Sequence, residues 1–287
     1  MGISPAKRDL ASPDNWALAK GGVYFSKSQK MNRSELGRAD LHVHTLASDG
    51  IRSPEECVRL ANELELDVLA ITDHDRVLGA LIALEEAEKM GYSVSVVPGT
   101  EITTCQGHLL ALYVKEEIPS MYSLIETVGE IHCRGGLAIA PHVGLGLSPV
   151  SISAKTIARL YQKGEKLDGI EVQNPHYWRR HLEQARLLSL YYGISPVAGS
   201  DDHFGNFGRE VQTLFLGKTA ADLRTSIEQG TTLAVRSDLP LRKISVNERI
   251  FQLTRGLTDD VPRKAKRSHI FVSNLLRPEE LKDKIQS

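Results

Sequence analysis

The fold of this chain is decided by the stretch Asp40-Leu41-His42-Val43-His44-Thr45-Leu46-Ala47-Ser48-Asp49-Gly50. Its alternation predicts a strand over Asp40–His44, with the two apolar side chains on one face and the two histidines on the other. Neutral imidazoles two residues apart on one face can ligate the same metal ion. Asp49 follows, and the turn marked by Gly50 can bring the Asp49 carboxylate back towards the two histidines. Taken alone, the histidine pair could also be two polar residues on an exposed strand face.

The chain beyond this stretch alternates between short apolar runs and helical patterns. A helix start is marked by Ser53-Pro54-Glu55-Glu56, with Ser as the N-cap and Pro at the first helical position. We predict strands over Val68–Thr72, Val94–Val97, Leu109–Val114, Leu137–Ala140, Gly169–Val172, Val197–Ser200 and Thr213–Leu216. We predict further helices over Val77–Met90, Ser120–Cys133, Ser153–Gln162, His176–Tyr192 and Ala220–Gln229. Such repeated units predict an α/β fold with a parallel sheet, either open or closed into a barrel.

Size and composition limit the function classes. The 287 residues can form one large domain or two small ones, and 41% apolar with 25% charged residues is typical of a folded globular protein. The formal net charge of −1 excludes a basic field over the whole surface, although a local nucleic-acid patch stays open. Three dispersed cysteines indicate neither a disulfide framework nor a Cys-x-x-Cys metal site. No signal peptide or membrane span is evident, and we predict a cytoplasmic protein without a membrane partner.

Composition also suggests how the chain is divided. We predict an N-terminal extension over residues 1–36 that is flexible or loosely docked, a main domain over 37–241, and a basic C-terminal extension over 242–287. The last contains Arg263-Lys264-Ala265-Lys266-Arg267, which suits either a nucleic-acid or partner contact or an ordinary solvated tail.

Metal-type side chains recur at the carboxyl ends of the predicted strands, where α/β proteins place their chemistry. They are Asp73, His74 and Asp75, then Glu101, His108, His142, and the run Asp201-Asp202-His203. Each alone could be a cap neighbour, a solvated acid or a buried core histidine, but their joint position predicts a metal site. Imidazoles and carboxylates without thiolates favour Mn, Fe or Zn. The number of ligands favours two or three divalent ions, a common device for displacement at phosphorus.

These motifs resemble those of the polymerase-and-histidinol-phosphatase (PHP) superfamily, from about Gly37 to Thr232. They are Asp40–Thr45 with Ser48-Asp49-Gly50, Ile71–Asp75, Pro98–Ile102, Pro141-His142 and Gly199–His203. The resemblance implies a distorted (β/α)7 barrel with short N- and C-terminal extensions and a metal cluster at the strand ends. Within the superfamily the chain is most similar to trinuclear phosphoesterases that act on 3′,5′-bisphosphorylated nucleosides and on short RNA 5′ ends.

The resemblance implies a role for each motif residue. His42, His44, Glu101 and Asp201 would hold one ion and the hydroxide that bridges it to the next; Asp49, His74 and His203 would hold a second; His108 and His142, with Glu101 bridging, a third. Asp73 would orient a ligand histidine. Glu171 and Asn174 would support a ligand, contact substrate or cap a helix. Further candidate substrate contacts are Asp73, His176, Arg179, Arg180 and Arg209, although the arginines suit an ordinary surface equally well.

Two departures from the resembling phosphatases bear on substrate. Their long helical insertion between the fourth strand and the Pro-His motif is missing, and Val143 replaces the proline that commonly follows the histidine. We expect in-line hydrolysis of a phosphate monoester or phosphodiester by the bridging hydroxide, with a nucleotide or short RNA or DNA as the favoured substrate. A metal-held water or a histidine such as His176 would protonate the leaving group. The alternatives are histidinol-phosphate phosphatase activity and a non-catalytic metal-binding module.

Overall fold

The structure is a computed structural model that describes residues 16–19, 23–26, 35–144, 150–237 and 239–257. Its strands are β1 Trp16–Ala19, β2 Val23–Ser26, β3 Leu36–Asp40, β4 Val68–Ile71, β5 Ser95–Thr104, β6 Gly107–Leu112, β7 Leu137–Ala140, β8 Gly169–Gln173, β9 Ser195–Ala198, β10 Val211–Leu216 and β11 Leu233–Arg236. Its helices are α1 Pro54–Glu63, α2 Leu78–Met90, α3 Leu124–Cys133, α4 Ala154–Gln162, α5 Arg179–Tyr192, α6 Ala220–Gln229 and α7 Val246–Arg255. The basic run at 263–267 lies outside the described residues.

A nine-stranded sheet in the order β11-β10-β3-β4-β5-β6-β7-β8-β9 forms the body of the protein. Its two halves meet where the Ala198 N–H donates to Thr213 Oγ1 at 2.8 Å and the Thr213 hydroxyl donates back to the Ala198 carbonyl at 2.9 Å. The sheet is therefore nearly closed, and the predicted α/β barrel is confirmed. It is distorted because β6 and β10 run antiparallel to both of their neighbours.

Local signals account for the helix ends. Ser53 accepts the backbone N–H of Glu56 while the Glu56 side chain accepts the N–H of Ser53, a capping box that starts α1. Helices α2, α5 and α6 end at glycines in the left-handed conformation, at Gly91, Gly193 and Gly230. These three helix ends agree with the predictions.

Buried strands fill the space beneath the helices. Strands β4, β6 and β7 are buried along their whole length, as expected for strands covered on both faces. Phe215 of β10 lies in the barrel interior with no exposed surface, next to Gly37 of β3, where a Cβ would overlap its ring. The core thus holds β3 against its neighbours and places the end of β3 at the mouth of the barrel.

The predicted strand over Asp40–His44 is wrong in its bounds, because β3 ends where that prediction begins. The Asp40 carboxylate accepts N–H groups from Ser200 and Gly208, at 3.0 and 2.7 Å, and so replaces ladder bonds at the strand end. Beyond it, the His44 N–H donates to the Asp202 carbonyl at 2.9 Å. The histidine stretch is therefore an extended continuation that crosses to the segment after β9.

Other differences have equally local causes. Strand β5 is longer than predicted, and it forms a hairpin with β6 instead of a parallel pair, so that Glu101 lies inside a strand. Helix α3 begins at Leu124 instead of Ser120, because the backbone N–H of Met121 donates to the Thr103 carbonyl. Helix α5 begins at Arg179 instead of His176, because the Asn174 side chain accepts the His176 N–H and competes with a helical turn. The hairpin β1–β2, strand β11 and helix α7 were not predicted.

Candidate metal centre

Nine side chains predicted as ligands come together at the mouth of the barrel. We call them the cluster: His42, His44, Asp49, His74, Glu101, His108, His142, Asp201 and His203. Six of these residues are buried and the other three retain limited exposure. The first and the last of them, His42 and His203, lie 161 positions apart in the sequence, so the barrel topology assembles them.

Glu101 occupies the centre of the cluster. Its two carboxylate oxygens lie within 3.4 Å of ring nitrogens from five histidines: His42, His44, His74, His108 and His142. Burial alone would raise the pKa of this carboxyl, but the imidazoles around it hold the pKa well below its usual range. Glu101 therefore stays ionised although only 1% of its surface is exposed.

The opposite end of the cluster is built around Asp49. Its Oδ1 lies 3.2 Å from His203 Nε2 and 3.7 Å from His44 Nδ1, and the His44 and His203 rings stack with centroids 4.2 Å apart. Burial opposes protonation of His203, but the hydrogen bond and charge of Asp49 raise its pKa to about 10. Asp201 joins this end to the centre, since its Oδ1 lies 3.4 Å from His42 Nε2 and 3.3 Å from His44 Nε2.

Several buried imidazole nitrogens in the cluster have no hydrogen-bond partner among the described residues. They are His42 Nε2, both ring nitrogens of His44, and His142 Nδ1. A buried polar atom without a partner is costly, and such atoms beside ionised carboxylates are what a metal ion would satisfy. The nitrogen and oxygen donors also suit Mn, Fe or Zn. The cluster therefore fits divalent metal ions.

The donor atoms fall into overlapping groups whose members lie within 4.8 Å of one another. The groups are His44, Asp49, His74 and His203; His42, His44 and Glu101; His42, His142 and Asp201; and His74, Glu101 and His108. The first contains the predicted second-ion set, with His44 added. His108 and His142, predicted to share an ion, fall in separate groups, although each lies within 2.9 Å of Glu101.

Glu171 orients His42 from outside the cluster. Its Oε1 lies 2.8 Å from His42 Nδ1, and its Oε2 accepts the His142 backbone N–H at 2.8 Å and the Asn174 amide at 3.1 Å. With Nδ1 engaged, His42 presents Nε2 to the centre, as metal-binding histidines commonly do. Gly199 makes room, because a Cβ there would overlap the Glu171 carboxylate. Asn174, a predicted substrate contact, is buried and supports Glu171.

Asp73 lies beneath the cluster. Its carboxylate accepts the Thr45 backbone N–H at 2.8 Å, the Thr45 hydroxyl at 2.7 Å and the Ser48 hydroxyl at 2.5 Å. These contacts hold the turn that carries Asp49, and the residue is fully buried. The contacts therefore place Asp73 under that turn instead of beside an imidazole or in the open mouth.

The remaining predicted substrate contacts lie on the rim. His176 is exposed, Arg179 pairs with Glu183 at 2.9 Å, and the Arg209 guanidinium donates to the Pro240 carbonyl at 2.8 Å. Arg209 therefore fastens the C-terminal segment in this structure. Of these residues, none belongs to the groups of donor atoms found in the described part of the chain.

Sequence reasoning missed two contacts to the site. The Tyr177 ring stacks on His142 with centroids 5.4 Å apart, and its hydroxyl lies 3.1 Å from Ser151 Oγ. Arg255 of α7 donates to the carbonyls of Leu46 and Ser48, at 2.6 and 2.9 Å. Tyr177 could have been suspected from its position after β8, whereas no sequence signal links Arg255 to residues more than 200 positions away.

The family model of the PHP domain matches residues 40–188, which contain all cluster residues except Asp201 and His203. The chain belongs to the PHP family. The predictions of PHP-family membership and of a metal-dependent hydrolase are thereby confirmed. No helix among the described residues of this PHP protein is long and apolar enough to cross a membrane.

Known proteins similar to this PHP protein include an uncharacterized protein of Methanocaldococcus jannaschii. The two are 35% identical over 152 residues, which cover 49% of this chain and 83% of the relative. A 5′-3′ exoribonuclease of Haemophilus influenzae is 28% identical over 193 residues, which cover 66% of this chain but only 63% of the enzyme, less than two thirds of its length.

Among solved structures, the PHP protein is similar to a two-domain protein of Bacteroides vulgatus described as containing a predicted PHP-like metal-dependent phosphoesterase. The TM-score is 0.59 with 21% identity, and the alignment covers 77% of this chain and 70% of the other. This likeness supports the barrel fold.

Proposed function

We propose that this PHP protein hydrolyses a phosphate monoester or phosphodiester of a nucleotide or short oligonucleotide, using two or three divalent ions. The observation that carries the proposal is the set of buried imidazole nitrogens around the ionised Glu101 that have no hydrogen-bond partner within the described parts of the chain. The position of these groups at the carboxyl ends of the barrel strands, where barrel enzymes place their active sites, favours catalysis over a non-catalytic module.

We assign the ions as the resemblance implies. His42, His44, Glu101 and Asp201 would hold the first, Asp49, His74 and His203 the second, and His108 and His142 with Glu101 the third. Divalent ions bound there would act as Lewis acids toward a phosphate ester and would lower the pKa of water. Manganese, iron and zinc all suit this donor set.

The chain's own residues prepare the site. The Glu171 carboxylate accepts the Nδ1 proton of His42, and so it determines which nitrogen faces the centre. Asp73 holds the turn that presents Asp49. The burial of Glu101 keeps bulk water from its oxygens, which strengthens their electrostatic interactions. His176, on the exposed rim, is available to protonate a leaving oxygen.

A nucleotide or RNA substrate is supported by the relative named as a 5′-3′ exoribonuclease, which this chain matches over part of its length. The mouth of the barrel is also short of a roof in the described chain, since only residues 113–123 connect β6 to α3. An open mouth favours a chain end over a fully enclosed small molecule.

We further propose that residues 37–241 form the catalytic domain. The nine-stranded sheet extends from Leu36 to Arg236, which supports these bounds. The extensions over 1–36 and 242–287, and the cytoplasmic location, stay predictions.

The test is a metal analysis and a substrate panel. Protein purified without chelator is analysed for bound metal and then assayed with Mn²⁺ on an aryl phosphate, 3′-phosphoadenosine 5′-phosphate, short 5′-phosphorylated RNA and histidinol phosphate. We expect two or three ions per chain and preferred turnover of the nucleotide or RNA. Preference for histidinol phosphate would overturn the substrate assignment, and no turnover of any ester would overturn the enzyme assignment.

A further inference from the structure

We propose that Tyr177, Trp178, Arg180 and His181 form a stacking platform, the aromatic rim, that holds a nucleobase of the substrate beside the metal centre. This inference rests on the proposed function and deepens it, since it names the part of the substrate that the protein recognises. The ligand class is a nucleotide or single-stranded RNA, whose phosphate lies at the cluster while a base stacks on the rim.

The aromatic rim is continuous with the cluster. Tyr177 lies nearly parallel to the ligand histidine His142, with an interplanar angle of 10°, and its ring centroid is 5.9 Å from that of His181. Trp178 is in turn nearly parallel to His181, at 14° and 6.4 Å. A series of rings therefore leads from a buried metal ligand to the protein surface. A substrate that extends from the cluster along these rings would reach Trp178.

Trp178 at the end of this series is largely exposed to solvent. Its side chain is 67% exposed, although tryptophan is among the most costly side chains to leave in water. Single exposed apolar residues are common and need no explanation. Here, however, the exposed ring ends a series of rings that begins at His142, and the Arg180 guanidinium lies over it, with Cζ 4.6 Å from the ring centroid. A base would stack on the rim by sharing or replacing this cation–π contact.

The charge of the rim suits the phosphates of nucleic acid. The first turn of α5 contains Arg179, Arg180 and His181 and no acidic residue, and Glu183 of the next turn pairs with Arg179 at 2.9 Å. Cationic side chains at a helix start are unfavourable by themselves, because the helix dipole is positive there. An anion near the rim would offset that repulsion. Aromatic rings beside arginines form the combination with which proteins bind single-stranded nucleic acid in a sequence-tolerant way.

The aromatic rim predicts a preference that the metal centre alone does not. The cluster can engage any phosphate ester, whereas a stacking ring adds binding energy only for substrates that have a base. Stacking of one base contributes about 1–3 kcal/mol, which corresponds to about 5- to 150-fold in affinity. We therefore expect the rim to act on KM for base-containing substrates.

The kinetic test compares a 5′-phosphorylated dinucleotide with glycerol phosphate, which lacks a base. In Trp178→Ala we expect KM for the dinucleotide to rise by about 5- to 150-fold relative to KM for glycerol phosphate, and Trp178→Phe should restore most of the preference. The matched control is Tyr191→Ala, which removes an 81% exposed ring from the far end of the same helix and should leave both KM values unchanged. An unchanged ratio of the two KM values in Trp178→Ala would contradict the proposal that the aromatic rim binds a base.

A binding test separates this inference from the proposed function. The chain has two tryptophans, Trp16 and Trp178, so that Trp16→Phe leaves Trp178 as the only indole fluorophore. We expect adenosine 5′-monophosphate to quench its fluorescence and ribose 5-phosphate not to. Equal quenching by both would mean that charge alone binds the ligand, and no quenching by either would mean that no ligand reaches Trp178; each result contradicts base stacking. If wild-type protein hydrolyses no ester but the base-dependent quenching is present, the proposed function fails and the binding platform stands.

Discussion

The Asp49 side and the His142 side of the cluster are held in place by different parts of the chain. On the Asp49 side, Arg255 of α7 binds two carbonyls of the turn before Asp49, and Arg242 binds the Phe204 carbonyl next to His203 at 2.7 Å. On the His142 side, Glu171 and Tyr177 from the end of β8 provide the support. The Asp49 side therefore depends on residues beyond the matched PHP region, and the His142 side depends on the barrel itself.

The two supports also differ in burial. Glu171 is 1% exposed and its carboxylate bonds are shielded from water, whereas Arg242 and its partner Glu248 are about a quarter to a third exposed and α7 has no buried residue. Charged contacts near solvent are weaker than buried ones. The His142 side is therefore supported from within the core, whereas the Asp49 side is held by residues near the surface. We therefore expect the ion at Asp49 and His203 to exchange more readily.

The largest effect is expected where the two sides meet. His42 and Asp201 contact both sides, so His42→Ala or Asp201→Ala should reduce phosphoester turnover to the background without enzyme. Far-UV circular dichroism should show a retained fold, because the barrel core lies beneath the cluster. Wild-type rates in either variant would contradict the assignment of the cluster as the active site.

The next largest effect should come from the His142 side. Glu171→Gln keeps the shape beside Gly199 but weakens the acceptor that orients His42. We expect a loss of about 10- to 100-fold in metal affinity, measured by titration of the chelator-stripped protein. An unchanged metal affinity would show that His42 is positioned without Glu171. It would contradict the inference that Glu171 supports the His142 side.

A smaller effect is expected on the Asp49 side. Arg255→Met removes a partly exposed guanidinium from the turn before Asp49, and we expect one ion to bind about 3- to 10-fold more weakly while the others are retained. The readout is the metal content after dialysis against limiting chelator. Arg249→Met, on the same helix and exposed, is the control and should keep all ions. Equal loss in both variants would indicate general destabilisation of α7.

The smallest effect concerns a histidine away from both sides. His132 of α3 lies 2.9 Å from Asp168, and that hydrogen bond raises its pKa. A raised pKa in the folded state stabilises the protein below the ordinary value of about 6.5, and the benefit is lost as pH rises through the raised pKa. His132→Gln should therefore lower the free energy of unfolding by less than about 1 kcal/mol at pH 6 and change it less at pH 9. Urea melts at both pH values measure this, and a larger loss at pH 9 would contradict the assigned sign.

Sequence patterns predicted those features that depend on neighbours along the chain. The Ser53 N-cap and the predicted ends of α2, α5 and α6 at Met90, Tyr192 and Gln229 depend on local sequence, and all four agree with the structure. The cluster residues were recognised by type and by their position near strand ends. Such predictions succeed because caps, turns and strand periodicity involve residues only a few positions apart.

The contacts that hold the cluster residues in position could be identified only from the tertiary structure. Asp73 resembled a ligand or an orienting group, but its carboxylate turned out to hold Thr45 and Ser48 beneath Asp49. The positive φ angles of His142 and Asp201, 29° and 53°, are likewise tolerated only within the assembled site. Neither feature follows from the local sequence, because each depends on partners from other strands.

By itself the sequence determined which donor atoms this protein possesses and that they gather at the strand ends of an α/β fold. Only the tertiary structure decided that Glu101 lies at the centre, that Tyr177 stacks on His142, and that Arg255 reaches the turn before Asp49. The physical reason is the distance along the chain between the residues that set each property. A ligand's identity belongs to one residue, whereas its orientation and charge state depend on groups that meet only when the barrel closes.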